Sequence, residues 1–168
     1  MTEPSASARV TAWALRSRWL MRLPIGLYRA GLGWMLGDRL VMIEHRGRVS
    51  HEPRYVVVEV VERGHNMIRV ASGFGTRSQW YRNLRANGVA YLSTGRARRV
   101  PAHVRFLDDA EADATIARYQ IAHPNAWKGL SAALDLAAGG EAHVAMVEFT
   151  APETSDAGTG SPETAAPA

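Results

Sequence analysis

Three runs in the first half of the chain, RLVMIEHR (39–46), RYVVVEVVER (54–63) and NMIRVAS (66–72), are rich in Val and Ile and interleave apolar with charged positions. That pattern predicts strands. Glu62-Arg63-Gly64-His65 places turn residues between the last two, so the three runs are expected to form a meander. The period changes at 79–87, QWYRNLRAN, where Trp80 and Leu84 share a helical face and Asn87-Gly88 supplies a stop. VAYLSTG (89–95) and RRVPAHVRFL (98–107) return to strand patterning around a turn containing Gly95, with Pro101 marking a bulge or an edge. DDAEADATIARYQIAH (108–123) reads as a helix behind an Asp108/Asp109 start, a further helix is expected over 125–138, and AHVAMVEF (142–149) supplies a sixth strand. Six mostly antiparallel strands with a few helices predict an α+β fold, a small β-barrel or rolled sheet with flanking helices.

The two ends of the chain lack this patterning. Residues 1–8 and about 150–168 are rich in Pro, Ser, Thr, Gly and Ala, and both read as disordered tails around a single domain at 9–149. From Arg9 to Leu23 aromatic and aliphatic residues alternate with arginines, which predicts a basic amphipathic helix ended by Pro24, with a second helical segment over 25–36. Packing on the flank of the domain is the first reading of that helix. Peripheral membrane contact through Trp13, Trp19 and Leu20 is the second.

Composition narrows the chemistry. The 168 residues are 46% hydrophobic, contain no cysteine and carry a formal charge of +4, with Lys128 the only lysine. No disulfide, thiolate metal site or cysteine nucleophile is available, and the cytoplasm is the expected compartment. An arginine-rich chain suits an anionic partner. Nucleic acid is disfavoured, because the basic residues are dispersed and no RNP-like aromatic strand or zinc-finger spacing is present.

Two loops concentrate the candidate chemistry. HRGRVSHEPRY (45–55) gathers Arg46, Arg48 and Arg54 with Ser50 and a glycine, a set of donors suited to phosphate. The second loop, at 71–78, places Gly73 and Gly75 before the helix that Ser78 is expected to cap, where freed amides offer a seat for an anion or a ring edge. A dinucleotide fingerprint would need glycine at Ser78, and a nucleophile elbow would need it at Val70, so Ser72 is not read as a nucleophile. Trp80 is expected in the core, while Tyr81 and Asn83 are expected on freer faces. His45 and His51 with Glu44 or Glu52 match no recurrent metal spacing, and no metal is expected.

These segments resemble the deazaflavin-dependent nitroreductase family of split β-barrel flavin and deazaflavin oxidoreductases. The matching stretches are LYRAGLGWMLG (27–37), GRVSHEPR (47–54), which is similar to G-R-K-S/T-G-x-P-R, and ASGFGTRSQWYRNLRAN (71–87), which is similar to A-S-x-G-G followed by W-Y-x-N-L-x-A-N. The resemblance spans about 20–149 and implies a six-stranded split β-barrel that binds coenzyme F420, with FMN as the alternative. It places Arg48, Val49 and Ser50 at the cofactor's phosphate side, and Arg54 with Tyr55, Val56, Val57 and Val58 along the same groove. Ala71, Ser72 and Gly73 would approach the ring, and Gln79, Trp80, Tyr81, Arg82 and Asn83 the anionic tail. Val49 stands where the family has lysine, His51 and Phe74 where it has glycine, and HPNAWKG (123–129) where it has a tyrosine-rich substrate segment.

The implied reaction is hydride transfer from reduced deazaflavin to an electron-poor small-molecule acceptor such as a quinone, nitro compound or enone. Tyr119, His123 and Tyr55 are the candidate proton donors, and Phe74 and Trp127 the candidate acceptor contacts. The alternatives are a split-barrel protein that holds FMN or haem and a non-catalytic carrier of a cofactor or lipid. Split barrels of this kind also form homodimers, so a second copy of the chain is a candidate partner. A quinone acceptor would suit an enzyme at the inner face of the cell membrane.

Overall fold

The computed structural model describes residues 23–128, 131 and 144–152. The expected N-terminal tail, nearly all of the basic helix at 9–23, most of the helix at 125–138 and the chain beyond 152 lie outside the described residues. Six strands are present: β1 (Leu40–Arg46), β2 (Pro53–Arg63), β3 (Met67–Ala71), β4 (Ala90–Thr94), β5 (Ala97–Phe106) and β6 (Met146–Thr150). They close into an antiparallel barrel in the order β1, β2, β3, β6, β5, β4, with β4 returning to β1. β6 runs one residue past the expected domain edge, and Ala151 N–H continues the pairing by donating to Asn66 O at 2.9 Å.

Two long strands turn the barrel's corners. β2 pairs with β1 as far as Glu59 and with β3 from Val60, and β5 pairs with β4 as far as Ala102 and with β6 from His103. Pro101 therefore sits opposite Tyr91 of β4, before the ladder to β6 begins, where its missing N–H is tolerated. A register shift between Val60 and Glu62 bends β2, and both Val61 and Glu62 meet the same outer helix.

Strand alternation divides the residues between two faces. Val41 and Ile43 of β1 and Val56, Val58 and Val60 of β2 pack into the barrel interior with Phe149. His45 continues the inward parity of β1 and is 5% exposed. Among the described residues three α-helices flank the sheet, α1 (Leu23–Arg29), α2 (Gln79–Asn87) and α3 (Asp109–Ala122), and residues 124–128 are helical as well. The expected single helix over 25–36 is instead α1 followed by a 3-10 turn, Gly33–Leu36, because Gly31 takes φ +81 and breaks the run. Pro24 falls in the first turn of α1, where a proline needs no intrahelical partner.

α2 plugs one end of the barrel. Trp80, Tyr81 and Leu84 join the interior cluster, and Gly88 closes the helix in the left-handed region with its N–H on Leu84 O at 2.8 Å. α3 begins at a capping box between Asp108 and Glu111 and packs on the outer face, where Ala112, Ile116 and Tyr119 meet Val61 and Met146. Antiparallel pairing fixes the polarity of the barrel. The β1–β2 loop, the exit of β3 and α2 share one end; the β2–β3 and β4–β5 turns share the other.

Candidate functional site

The β1–β2 loop is closed by its own backbone, with Gly47 N–H on Glu52 O and His51 N–H on Gly47 O, both at 2.9 Å. His51 holds φ +56, a left-handed conformation. The resembled motif has glycine at that position for the same physical reason, since a Cβ is disfavoured there. The loop presents Arg48, Val49, Ser50 and Arg54 as exposed residues, with Val49 84% exposed and Arg54 Nη2 only loosely placed on Ser50 Oγ at 3.5 Å.

A latch joins this loop to α2. Arg48 donates from its backbone N–H and from Nη1 to Asn83 Oδ1, at 3.2 and 3.1 Å, and Nη1 also reaches Gln79 Oε1 at 2.8 Å. These donors fix the Asn83 amide with its oxygen toward Arg48, so its Nδ2 faces His45 Nδ1 at 3.3 Å. His45 Nδ1 must then accept, which requires a neutral ring with its proton on Nε2. Burial acts in the same direction and pushes the His45 pKa down to about 4, with a backbone hydrogen bond to Arg46 opposing it and the Arg54 charge adding to it. Asn87 extends the latch by donating to Arg46 O at 3.1 Å. Asn83 and Tyr81, expected on freer faces, are both buried, because the barrel mouth covers α2 over a wide arc. Tyr81 packs edge-on against Phe106, with ring centroids 4.9 Å apart.

The loop from β3 into α2 is locked from inside. Ser72 donates its one hydroxyl proton to Gly75 O at 2.7 Å, so Ser78 must be the donor in the 2.6 Å contact between the two hydroxyls. Ser78 holds the N-cap position without making a side-chain cap, contrary to expectation, because its hydroxyl is turned toward Ser72 Oγ and away from the first amides of α2. The outer side of the loop is open: no atom lies within 4 Å of the place a Cβ would take on Gly73, and Phe74 is 50% exposed.

The candidate proton donors do not gather in one place. Tyr119 donates to Glu59 Oε1 at 2.7 Å, and burial followed by that carboxylate raises its pKa to about 12. His123 lies beside it, ring centroids 5.1 Å apart, and Trp127 packs with Ala71 against the Tyr119 cluster. Tyr55 shares an outer strand face with Glu59 but stands about 13 Å along β2, beneath the Arg29 guanidinium at 5.5 Å. Val56 and Val58 point into the core while Tyr55 and Val57 take the other face, so four consecutive residues do not line one groove with their side chains. Glu59 was not foreseen, having no local motif; His45 could have been, because the parity of β1 already points it inward.

A family model described as F420H(2)-dependent quinone reductase matches residues 20–128, which includes the β1–β2 loop, the glycine loop and α2. Among proteins of curated function, none matches significantly in sequence. A solved structure described as a domain-swapped dimer is 16% identical, covers 80% of this chain and 98% of its own, and superposes with a TM-score of 0.52. The protein Atu2129 of Agrobacterium tumefaciens, described as of unknown function, is 13% identical over 77% of this chain and 55% of its own, at 0.51. A structure described as F420-H2 dependent reductase FDR-A is 17% identical over 67% and 95% of the two chains, at 0.49. The first two likenesses establish the split-barrel fold, and none of these matches supports FMN as the alternative cofactor. With more than half of its length matched by that family model, the chain belongs to the F420H2-dependent quinone reductase family.

Proposed function

We propose that this chain is an F420H2-dependent oxidoreductase whose acceptor is an electron-poor organic molecule of the quinone, nitro or enone class. The observation that carries the reading is the Arg48–Gln79–Asn83 latch, which holds an arginine loop against the start of an uncapped helix beside an open glycine loop. The donor set fits an anionic cofactor tail: the latch uses Nη1 of Arg48 and leaves the rest of an exposed guanidinium, with Arg54 and the first-turn amides of α2, to meet it. Gly73 leaves room for a flat ring against the backbone. Reduced F420, when bound, supplies the hydride.

The chain's own residues orient and shield. Phe74, half-exposed on the glycine loop, and Trp127, packed on the Tyr119 cluster, are assigned to the acceptor. Tyr119, its proton held by Glu59, positions rather than donates, and the exposed His123 beside it is the better proton source. A second copy of the chain is proposed as a partner and the cytoplasm as the compartment. Separate titrations with reduced F420, oxidised F420 and FMN test the cofactor, and oxidation of bound F420H2 by menadione tests the activity. Retention of FMN without any binding of F420 would overturn the reading; F420 binding without turnover would reduce it to a carrier.

A further inference from the structure

The barrel end opposite Arg48 carries an open pocket of about 330 Å³, lined in part by Tyr28, Trp34, Gly95, Arg96 and Arg98. Gly31, at φ +81, brings the turn after α1 against Arg98: a Cβ there would stand 3.0, 3.1 and 3.2 Å from Nη1, Nη2 and Cζ. Near-equal distances mean that the guanidinium lies face-on to the turn. Arg39, Arg69, Arg99, Arg105 and Arg118 each pair with a glutamate, but among the described residues neither Arg96 nor Arg98 has a carboxylate partner. Asp38, packed against Gly95, is the nearby acid, and Arg63 binds its backbone carbonyl at 2.8 Å. The local balance is cationic.

Beside these arginines the 3-10 turn leaves an apolar strip uncovered, with Leu32 39%, Trp34 59% and Met35 61% exposed. A soluble phosphate would satisfy the arginines and leave Leu32 and Met35 in water. An apolar partner would cover the strip and strand two charges in a dry contact. A phospholipid surface meets both, since its phosphates lie directly above acyl chains. We propose that this face docks on an anionic phospholipid membrane, with Arg96 and Arg98 on lipid phosphate and Leu32, Trp34 and Met35 in the head-group region. The site is separate from the F420 groove, and among the described residues no helix is long and apolar enough to cross a membrane.

The test uses the full chain and vesicles of phosphatidylcholine with and without phosphatidylglycerol, read by co-sedimentation. Partition onto the anionic vesicles is expected to fall roughly tenfold or more in the double variant Arg96→Ala, Arg98→Ala, and by a smaller factor in Trp34→Ala. Circular dichroism and F420 affinity should stay as in the parent, which separates this proposal from the cofactor reading. Equal partition of parent and double variant overturns it, as does equal binding to neutral vesicles. Binding of glycerol phosphate without vesicle binding would make the pocket a soluble-anion site. A change of mass in light scattering on mutation, with vesicle partition unaltered, would make the face a contact between copies of the chain. Either result also overturns the proposal.

Discussion

The two ends of this barrel carry arginines in opposite circumstances. At the α2 end Arg48 is tied by three hydrogen bonds to Gln79 and Asn83, and the loop around it is closed by backbone bonds. At the other end Arg96 and Arg98 are exposed beside an uncovered apolar strip, with no ion-pair partner among the described residues. A tethered arginine has lost its side-chain freedom before any ligand arrives, whereas an exposed one without an ion pair gives up about 2 kcal/mol of rotamer freedom only on binding. The first arrangement suits a shaped ligand held in one pose, the second a surface of many equivalent phosphates. Energetics divide in the same way. Burial of Trp80, Tyr81 and Leu84 contributes roughly 1.5 to 3 kcal/mol per side chain to docking α2, while each latch hydrogen bond adds about 1. The apolar residues place the helix, and the latch decides where the loop lies against it.

Substitutions at the two ends should therefore differ in kind. Asn83→Ala is expected to have the largest effect, lowering stability by about 3 kcal/mol in urea unfolding, because it leaves both His45 Nδ1 and the Arg48 N–H without a partner. F420 affinity should fall with it. Next comes pH. The His45 pKa is about 4 in the folded chain and near 6.5 when unfolded, so the unfolded state takes up the proton first as pH falls. Its contribution is complete above pH 6.5 and is lost between about 6.5 and 4, amounting to about 3 kcal/mol. The midpoint of urea unfolding measured across that window should show the slope, and His45→Gln should flatten it. Arg48→Ala is expected to weaken F420 binding by about 1.5 to 3 kcal/mol, read by titration; unchanged affinity would remove Arg48 from the site. Phe74→Ala, at a half-exposed position, should change stability by less than about 0.5 kcal/mol while raising the KM for menadione. The smallest effect belongs to the opposite end, where Arg96→Ala should leave both unfolding and F420 affinity within about 0.5 kcal/mol of the parent.

Much of this fold was legible from local pattern. The six strands were expected within a few residues of where they lie, and QWYRNLRAN predicted α2 at its observed bounds. Their period, turn residues and caps are short-range properties. The candidate site was legible as two loops on the strength of arginine and glycine content, and the family match covers both. Its interior was not. Asn83 was expected to be available to a ligand because helical periodicity reports which residues share a face, not how much of the helix a barrel mouth covers. Ser78 was expected to cap α2, yet its hydroxyl is turned toward Ser72, six residues earlier, a contact that exists only once the loop has folded. Glu59 gave no signal, since its partners Tyr119 and Arg39 stand 60 and 20 residues away.

The sequence by itself determined the strands, the helix stop at Gly88, the helix start at Asp108 and the membership of the family, all carried by residues within one turn or one motif of each other. Only the tertiary structure decided that His45 stays neutral, that Arg48 is tethered while Arg96 and Arg98 are exposed, and that the two sets sit at opposite ends. Those facts depend on barrel closure, which brings together groups far apart in the chain and removes some of them from water. Charge state and hydrogen-bond partnership follow from solvent exclusion, and no local pattern encodes where water will be absent.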